Sequence, residues 1–530
     1  MKDKDIQSEF DIIVIGGGAT GSGIALDATL RGLKTLLVEK NDFSEGTSSR
    51  STKLVHGGVR YLEKAVKKLD FNQYALVKEG LKERYRLLKN APHLSRAITL
   101  VTPLYKWYEI PYMYVGLVLY DIISGKRRLG KSSIVSKKEI IKKFPSVSRD
   151  GLKGGVRYFD GAFNDSRMVI SILQSAKESG CEVKNYTEVT GFKYVDEKIS
   201  GVKLKDSITL EEYEANASII VNATGPFCDG IRKLDFKEAK DIVKTSSGIH
   251  IVLDKKFLPN DEGLMIPKTE DGRVLFMLPY LGKCLVGTTD EIAKVQERPN
   301  VSEADIEYLL RHIKKYFAVT IKKSDILSSW SGLRPLVVDD NAENSQEIVR
   351  EHSINSSKSG LISVVGGKWT TYRKMAEETL DFVLKIENTK NLHSCQTKNY
   401  KLVGSIEKIS KIKEKLGKFS FNKDLNEHLI SFYGDCALEV FKYIEKFGEV
   451  KLHDDYPYLE AEVYYSIDYE FTKKPLDFLV RRLGLGLVDK QAAIDCVHKV
   501  SLIYKDIFNW TQEEYSMYLE ESKTILNTNL

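Results

Sequence analysis

The chain has 530 residues, 42% of them hydrophobic and 29% charged, and a net charge of +6. That is the make-up of an ordinary soluble globular protein of more than one domain, with too little excess charge to call for a nucleic acid partner. The six cysteines are scattered without a C-x-x-C pair, which excludes a Cys-rich zinc or iron–sulfur site, and no metal site is expected. No apolar run is long enough to span a bilayer as a simple helix, and the polar start MKDKDIQSEF is read as neither signal nor transit peptide.

The first predicted elements form one unit. Residues 10–15 make a β-branched apolar run that reads as a buried strand. GGGATGSG follows, with Gly16, Gly18 and Gly21 in the G-x-G-x-x-G register, and then a helix ending at Gly32. A second strand, TLLVE, ends at Glu39 and is followed by Lys40. Gly16 suits the tight turn, Gly18 the close approach of backbone to a pyrophosphate, and Gly21 the packing of helix on strand. The helix start at Ala19 and Thr20 offers free N–H groups to phosphate. Glu39 stands where an acid grips a ribose hydroxyl, which argues against a 2′-phosphate.

TSSRSTKLVHGGVRYLE, residues 47–63, comes next. So many polar groups cannot be a core element, and the run reads as a loop over a flat polar cofactor followed by a helix turn. Thr47, Ser48 and Ser51 fit the cofactor side, His56 and Gly57 the ring, and Arg60 and Tyr61 the substrate. Residues 110–120 are apolar, aromatic, Gly or Pro, and Lys126, Arg127, Arg128 and Lys131 follow. Two readings stay open there: an interfacial contact with anionic lipid, or a buried helix of a cap domain.

Residues 133–145 read as basic and helical. An amphipathic helix capped by Asp165 or Ser166 is expected after GGVRYFDGAFND, followed by a strand pair in CEVKNYTEVTGF containing Val189. SIIV then leads into Asn222-Ala223-Thr224-Gly225, bare backbone brought up to a nucleotide by a second parallel strand. A strand-rich block covers 244–338 with a helix at 302–316. ISVV, Gly366-Gly367-Lys368 and a helix opening near Thr370 make a second strand–glycine–helix crossing. Residues 385–530 read as all-helical.

The fold class is therefore α/β. A Rossmann-like FAD-binding domain (1–90, 150–243, 340–384) carries an inserted antiparallel β-rich substrate domain (91–149, 244–339) and an all-helical C-terminal domain (385–530). Cofactor contacts drawn from several distant segments, with no second fingerprint, indicate FAD alone.

The chain resembles FAD-dependent glycerol-3-phosphate dehydrogenases, within the D-amino-acid-oxidase-like flavoproteins. The resemblance rests on GGGATGSGIALDATLRGL, TSSRSTKLVHGGVRYLE, VNATGP, GIHIV, GTTD, SGLRPL and GGKWTTYRKMAE in that order, and extends to YLEAEVYYS and LVRRLGLG. It implies oxidation of sn-glycerol 3-phosphate to dihydroxyacetone phosphate, with hydride passing from C2 to flavin N5. It also implies electrons passed to a quinone by a protein held peripherally on the inner face of the cell membrane. Oxygen as acceptor is the alternative, and a homodimer is allowed for. A phosphate substrate calls for cations, and the candidates are Arg334, Arg350, Lys368 and Arg60; the alternatives are a structural ion pair for Arg334, a plain surface charge for Arg350, a charge near flavin N1 for Lys368 and a surface pair with Glu63 for Arg60. His56 and His250 are both base candidates, and the sequence does not choose between them. Asp290, closing GTTD, either orients a group in the site or ends a strand.

Overall fold

The computed structural model describes residues 9–59, 62, 70–266, 269, 272–338, 352–386, 392–417 and 422–528. Arg60, Tyr61 and Arg350 lie outside the described residues.

An eight-stranded sheet forms around the β-branched run Glu9–Ile15. This strand lies between Thr35–Val38 and Glu212–Asn222, parallel to both. Ile362–Gly366 extends the sheet parallel to Glu212–Asn222, and Glu182–Lys184 pairs beyond Thr35–Val38. Side chains of the central strand are buried on both faces, which explains the unbroken apolar text of a parallel strand. The crossover helix Ala19–Arg31 packs with Asp165–Glu178 and Tyr372–Ile386. It stops at Gly32, whose φ of 101° closes the last turn.

A ten-stranded, mostly antiparallel sheet makes the second body. Its long pair is Val243–Leu253 with Ile326–Val337, in register from Val243↔Val337 to Val252↔Ser328. The helical region from Ile409–Leu416 to Gln512–Thr528 shares one apolar core with this sheet, since Val252 and Trp330 pack in the same cluster as Phe432, Phe478 and Tyr504.

Four local expectations are corrected. Residues 133–145 open as a strand, Ser133–Ser136, and only Lys137–Lys143 is helical; the strand side chains pair along Gly154–Phe163. Glu182–Lys184 and Thr187–Val195 are not partners; the first pairs with Thr35–Val38 and the second with Lys198–Asp206. The cap of Asp165–Glu178 is Asn164, which accepts from the Arg167 amide. The 47–63 run is not wholly a loop over the cofactor: Leu54–Val55 forms a short strand against Gly154–Phe163, and Lys53 is buried. Its ammonium is satisfied there by Asp165 at 2.6 Å, a partner 112 residues away.

The helix Glu109–Ser124 has one buried side and one exposed side. Leu117, Tyr120 and Ser124 are buried, while Tyr112, Val115, Leu119 and Ile122 are exposed. Trp107 and Tyr108 continue the exposed side, and Lys126, Arg127 and Arg128 stand exposed at its end. Among the described residues no helix is long and apolar enough to cross a membrane.

Candidate flavin and substrate site

A cavity of about 410 Å³ lies at the carboxyl ends of the parallel strands. This is where an open α/β sheet places its ligands, because the crossovers leave a crevice there. Gly16, Gly18, Ala19, Thr20, Glu39, Lys40, Thr47, Ser48, Val189, Ala223, Gly225, Gly367 and Lys368 all line it. Two of the glycines are dictated by space. A Cβ on Gly16, at φ 110°, would sit 2.8 Å from the Ala223 carbonyl oxygen, and one on Gly21 would sit 1.9 Å from that of Gly16. Bare backbone therefore faces the ligand at the start of Ala19–Arg31, where the helix dipole favours phosphate.

Glu39 closes one end. Its carboxylate accepts from the Gly17 amide at 2.8 Å and the Asn41 amide at 3.0 Å. Burial pushes its pKa up, against the pull of those two amides. The carboxylate is thus fixed in place beside the fingerprint with lone pairs left for hydroxyls. Lys40 instead pairs with Glu297 at the rim. Ser48 accepts from the Ala19 amide at 2.9 Å, and its carbonyl accepts from the Trp369 indole at 2.9 Å. Thr47 donates to the Leu333 carbonyl at 2.5 Å, tying this loop to the strand that carries Arg334. Ser51 does not line the cavity; its hydroxyl donates to Asp165 at 2.7 Å and accepts from the Lys53 amide.

The two candidate histidines are separated. His56 is exposed and lines another cavity, of about 300 Å³, with Gly57, Lys368, Thr370, Glu79 and His352. Thr370 donates to its carbonyl at 3.4 Å. Gly367 and Lys368 border both cavities. His250 is buried on the Val243–Leu253 strand, opposite Trp330, and stacks on that ring at 4.2 Å. Its Nε2 lies 3.0 Å from the Thr52 hydroxyl, and its Nδ1 has no hydrogen-bond partner. Burial, helped by Arg334 and Lys53, holds its pKa well below 6.5. The ring is neutral at physiological pH, with Nδ1 left without a hydrogen bond.

Arg334 lies on the same face. Its register partner is Ser246, and the guanidinium crosses over Gly248, where a Cβ would be only 2.2 Å from Nη2. Asp290 accepts from Nη1 at 3.0 Å, while the Thr288 hydroxyl and Thr289 carbonyl meet Nη2 at 3.2 and 3.1 Å. Asp290 is thus ion-paired with Arg334. Thr52, Trp330 and the Lys53–Asp165 pair were not among the residues expected at the site. Thr52 sits inside the informative 47–63 run, but nothing in sequence announced its 198-residue reach to His250.

The residues fit a flavin dinucleotide: a phosphate-binding helix start, a ribose-binding acid, and an apolar wall of Val189, Tyr372 and Met375. The comparisons agree. The FAD dependent oxidoreductase family model, DAO, matches residues 11–373. The model of the C-terminal domain of alpha-glycerophosphate oxidase matches 395–515. The mitochondrial glycerol-3-phosphate dehydrogenase of Homo sapiens is 42% identical over 98% of this chain and 73% of its own length. The probable mitochondrial glycerol-3-phosphate dehydrogenase of Dictyostelium discoideum is 43% identical over 98% of this chain and 84% of its own length. The glycerol-3-phosphate dehydrogenase from Bacillus halodurans, solved in complex with FAD, superposes with a TM-score of 0.81 at 32% identity, covering 98% of this chain and 95% of that one. With the fingerprint cavity, the two-sheet body and the helical tail all matched in order, the chain is an FAD-dependent oxidoreductase that belongs to the glycerol-3-phosphate dehydrogenase family.

Proposed function

We propose that the protein oxidises sn-glycerol 3-phosphate to dihydroxyacetone phosphate and delivers the electrons to a quinone at a membrane surface. The observation that carries the substrate reading is the placement, on one face of the second sheet and from two adjacent strands, of a neutral buried imidazole and an oriented guanidinium: His250 and Arg334. A phosphate ester of an alcohol needs both, a cation for the dianion and a base for the hydroxyl.

Bound FAD supplies the two-electron acceptor. Arg334, held by Asp290 and Thr288, binds the phosphate, and Lys368 adds a second cation at the cavity edge. Arg60, Tyr61 and Arg350 complete this set by position in the sequence. His250 accepts the proton of the C2 hydroxyl, its ring fixed by Trp330 and Thr52. His56, on the other cavity, positions the 56–58 backbone beside Thr370.

The quinone reading draws on the Glu109–Ser124 helix, whose exposed aromatic and aliphatic side is followed by exposed cations. That pattern suits a monotopic seat in the headgroup region of an anionic bilayer, next to the acyl layer in which an apolar quinone dissolves.

Anaerobic addition of sn-glycerol 3-phosphate to the purified yellow protein tests the substrate. Bleaching of the flavin absorbance is expected; a spectrum left unchanged overturns the reading. Admitting air and then a soluble quinone tests the acceptor. Slow colour return in air and fast return with quinone are expected, whereas rapid return in air marks an oxidase.

A further inference from the structure

Beside the cofactor loop lies a hollow of about 120 Å³, which shares Asn41 and Glu45 with the walls of the flavin cavity. Its walls meet from distant parts of the chain and carry four cations, Arg50, Arg298, Lys474 and Arg481, against three carboxylates, Glu45, Asp477 and Glu521. Roughly four water volumes fit such a space, enough for a tetrahedral or planar oxyanion of four or five heavy atoms.

The charges around it do not close. Arg481 is matched by Asp477 at 2.7 Å, by Asp42, and by Glu45 at 3.5 Å. Arg298 reaches Glu45 at 3.2 Å, and Lys474 reaches Glu521 at 3.3 Å. Arg50 is different. It is only 8% exposed, and among the described residues its guanidinium donates to the Ser331 carbonyl, from Nη1 at 3.2 Å. Among the described residues no carboxylate comes within 4.0 Å of it to form an ion pair. The nearest, Glu45, is shared by Arg298 and Arg481. Burial lowers the Arg50 pKa only to about 10, so it stays charged. Asp477 is pushed up to about 6, by burial and by Asp42, and supplies less than a full negative charge in mildly acidic solution. Glu45 acts on Arg50 from beyond ion-pair distance and is shared with two other arginines, so a buried cation is left only partly compensated, and a cavity beside it has room for a further anion.

We propose that this hollow is a binding site for a small oxyanion, of the inorganic phosphate class, held by Arg50 and distinct from the flavin and substrate sites. The anion bridges the cofactor loop to the helical region. Since Thr47 and Ser48 of that loop line the flavin cavity, occupancy of one site tightens the other, and the coupling is reciprocal.

The test uses the FAD-loaded protein, in which the dinucleotide already fills its own phosphate cradle. The rate of FAD release is followed by flavin fluorescence against inorganic phosphate, at constant ionic strength set with a bulky buffer anion. Phosphate is expected to slow release at least three-fold, with saturation. The effect should disappear in Arg50→Gln and persist in Arg334→Gln, which separates this hollow from the substrate site. Ser522→Asp places a carboxylate at the hollow and should release FAD slowly with no further response to phosphate; it reads the same site if Arg50→Gln fails to fold. A wild-type rate indifferent to phosphate, or a saturable response kept in Arg50→Gln or lost only in Arg334→Gln, overturns the proposal.

Discussion

The Tyr120 hydroxyl accepts the Gly57 amide proton at 2.9 Å, joining the helix with the exposed apolar side to the loop beside His56. The same hydroxyl lies 3.3 Å from Asp160 Oδ2, and Asp160 is held by Arg84 at 2.8 Å, all of them buried. Gly57 has no room to move: a Cβ there would be 2.5 Å from Leu81 and 2.6 Å from the Tyr120 oxygen. Tyr120→Phe strands the Gly57 amide. A loss of about 1–3 kcal/mol in stability is expected, with faster hydrogen exchange at the 56–58 amides. Unchanged exchange there would show that the bond holds nothing in place.

In the proposed substrate site, Arg334→Ala would remove a charge-assisted contact to the phosphate. Substrate affinity, read from anaerobic flavin bleaching, should fall by about 2 kcal/mol or more. Asp290→Asn should weaken affinity less, because it loosens the guanidinium without removing it. Affinity unaltered in both would take Arg334 out of the substrate site.

His250 predicts a pH dependence of stability. Its folded pKa is depressed below 6.5, so the unfolded chain takes up the proton first on acidification. The folded state therefore loses stability as pH falls below 6.5, by about 1.4 kcal/mol per pH unit from this residue, and neither gains nor loses above it. His93, held down to about 3 by burial, acts in the same direction. Urea unfolding at about pH 7.5 and about pH 5.5 should show His250→Asn less acid-sensitive than wild type. Equal sensitivity would mean that His250 is charged, or exposed, in the fold.

Ile122→Glu and Tyr112→Glu place carboxylates on the exposed side of Glu109–Ser124. Both should reduce flotation with anionic vesicles. Neutralising Lys126, Arg127 and Arg128 should cost about 1 kcal/mol of binding per cation and weaken its salt dependence. Flotation that survives all these changes would assign the membrane contact to another face.

Much of the flavin half was legible because its constraints are local. The strand Glu9–Ile15, the glycines and Glu39 lie within one short βαβ unit whose residue types follow from backbone sterics. The site on the second sheet was legible only as a set of residues. That His250 stacks on Trp330 and meets Thr52 depends on strand register and on a loop crossing, neither of which leaves a periodic trace. Asp42 is the extreme case. It is buried and accepts from Arg482 at 2.9 Å, a partner 440 residues away. In sequence it looks like any loop aspartate. Glu109–Ser124 was ambiguous for a physical reason: its text is apolar all round, and only the packing of Leu117 and Tyr120 divides a buried side from an exposed one.

The walls of the flavin cavity come from segments as far apart as Gly16 and Met375. A ligand that touches them all acts as a clasp on the folded chain, adding about 4 kcal/mol when its concentration is a thousand times Kd. Flavin supply then sets more than activity. In a riboflavin-starved cell, newly made chains would spend longer open to proteases, and the protein's abundance would follow the vitamin.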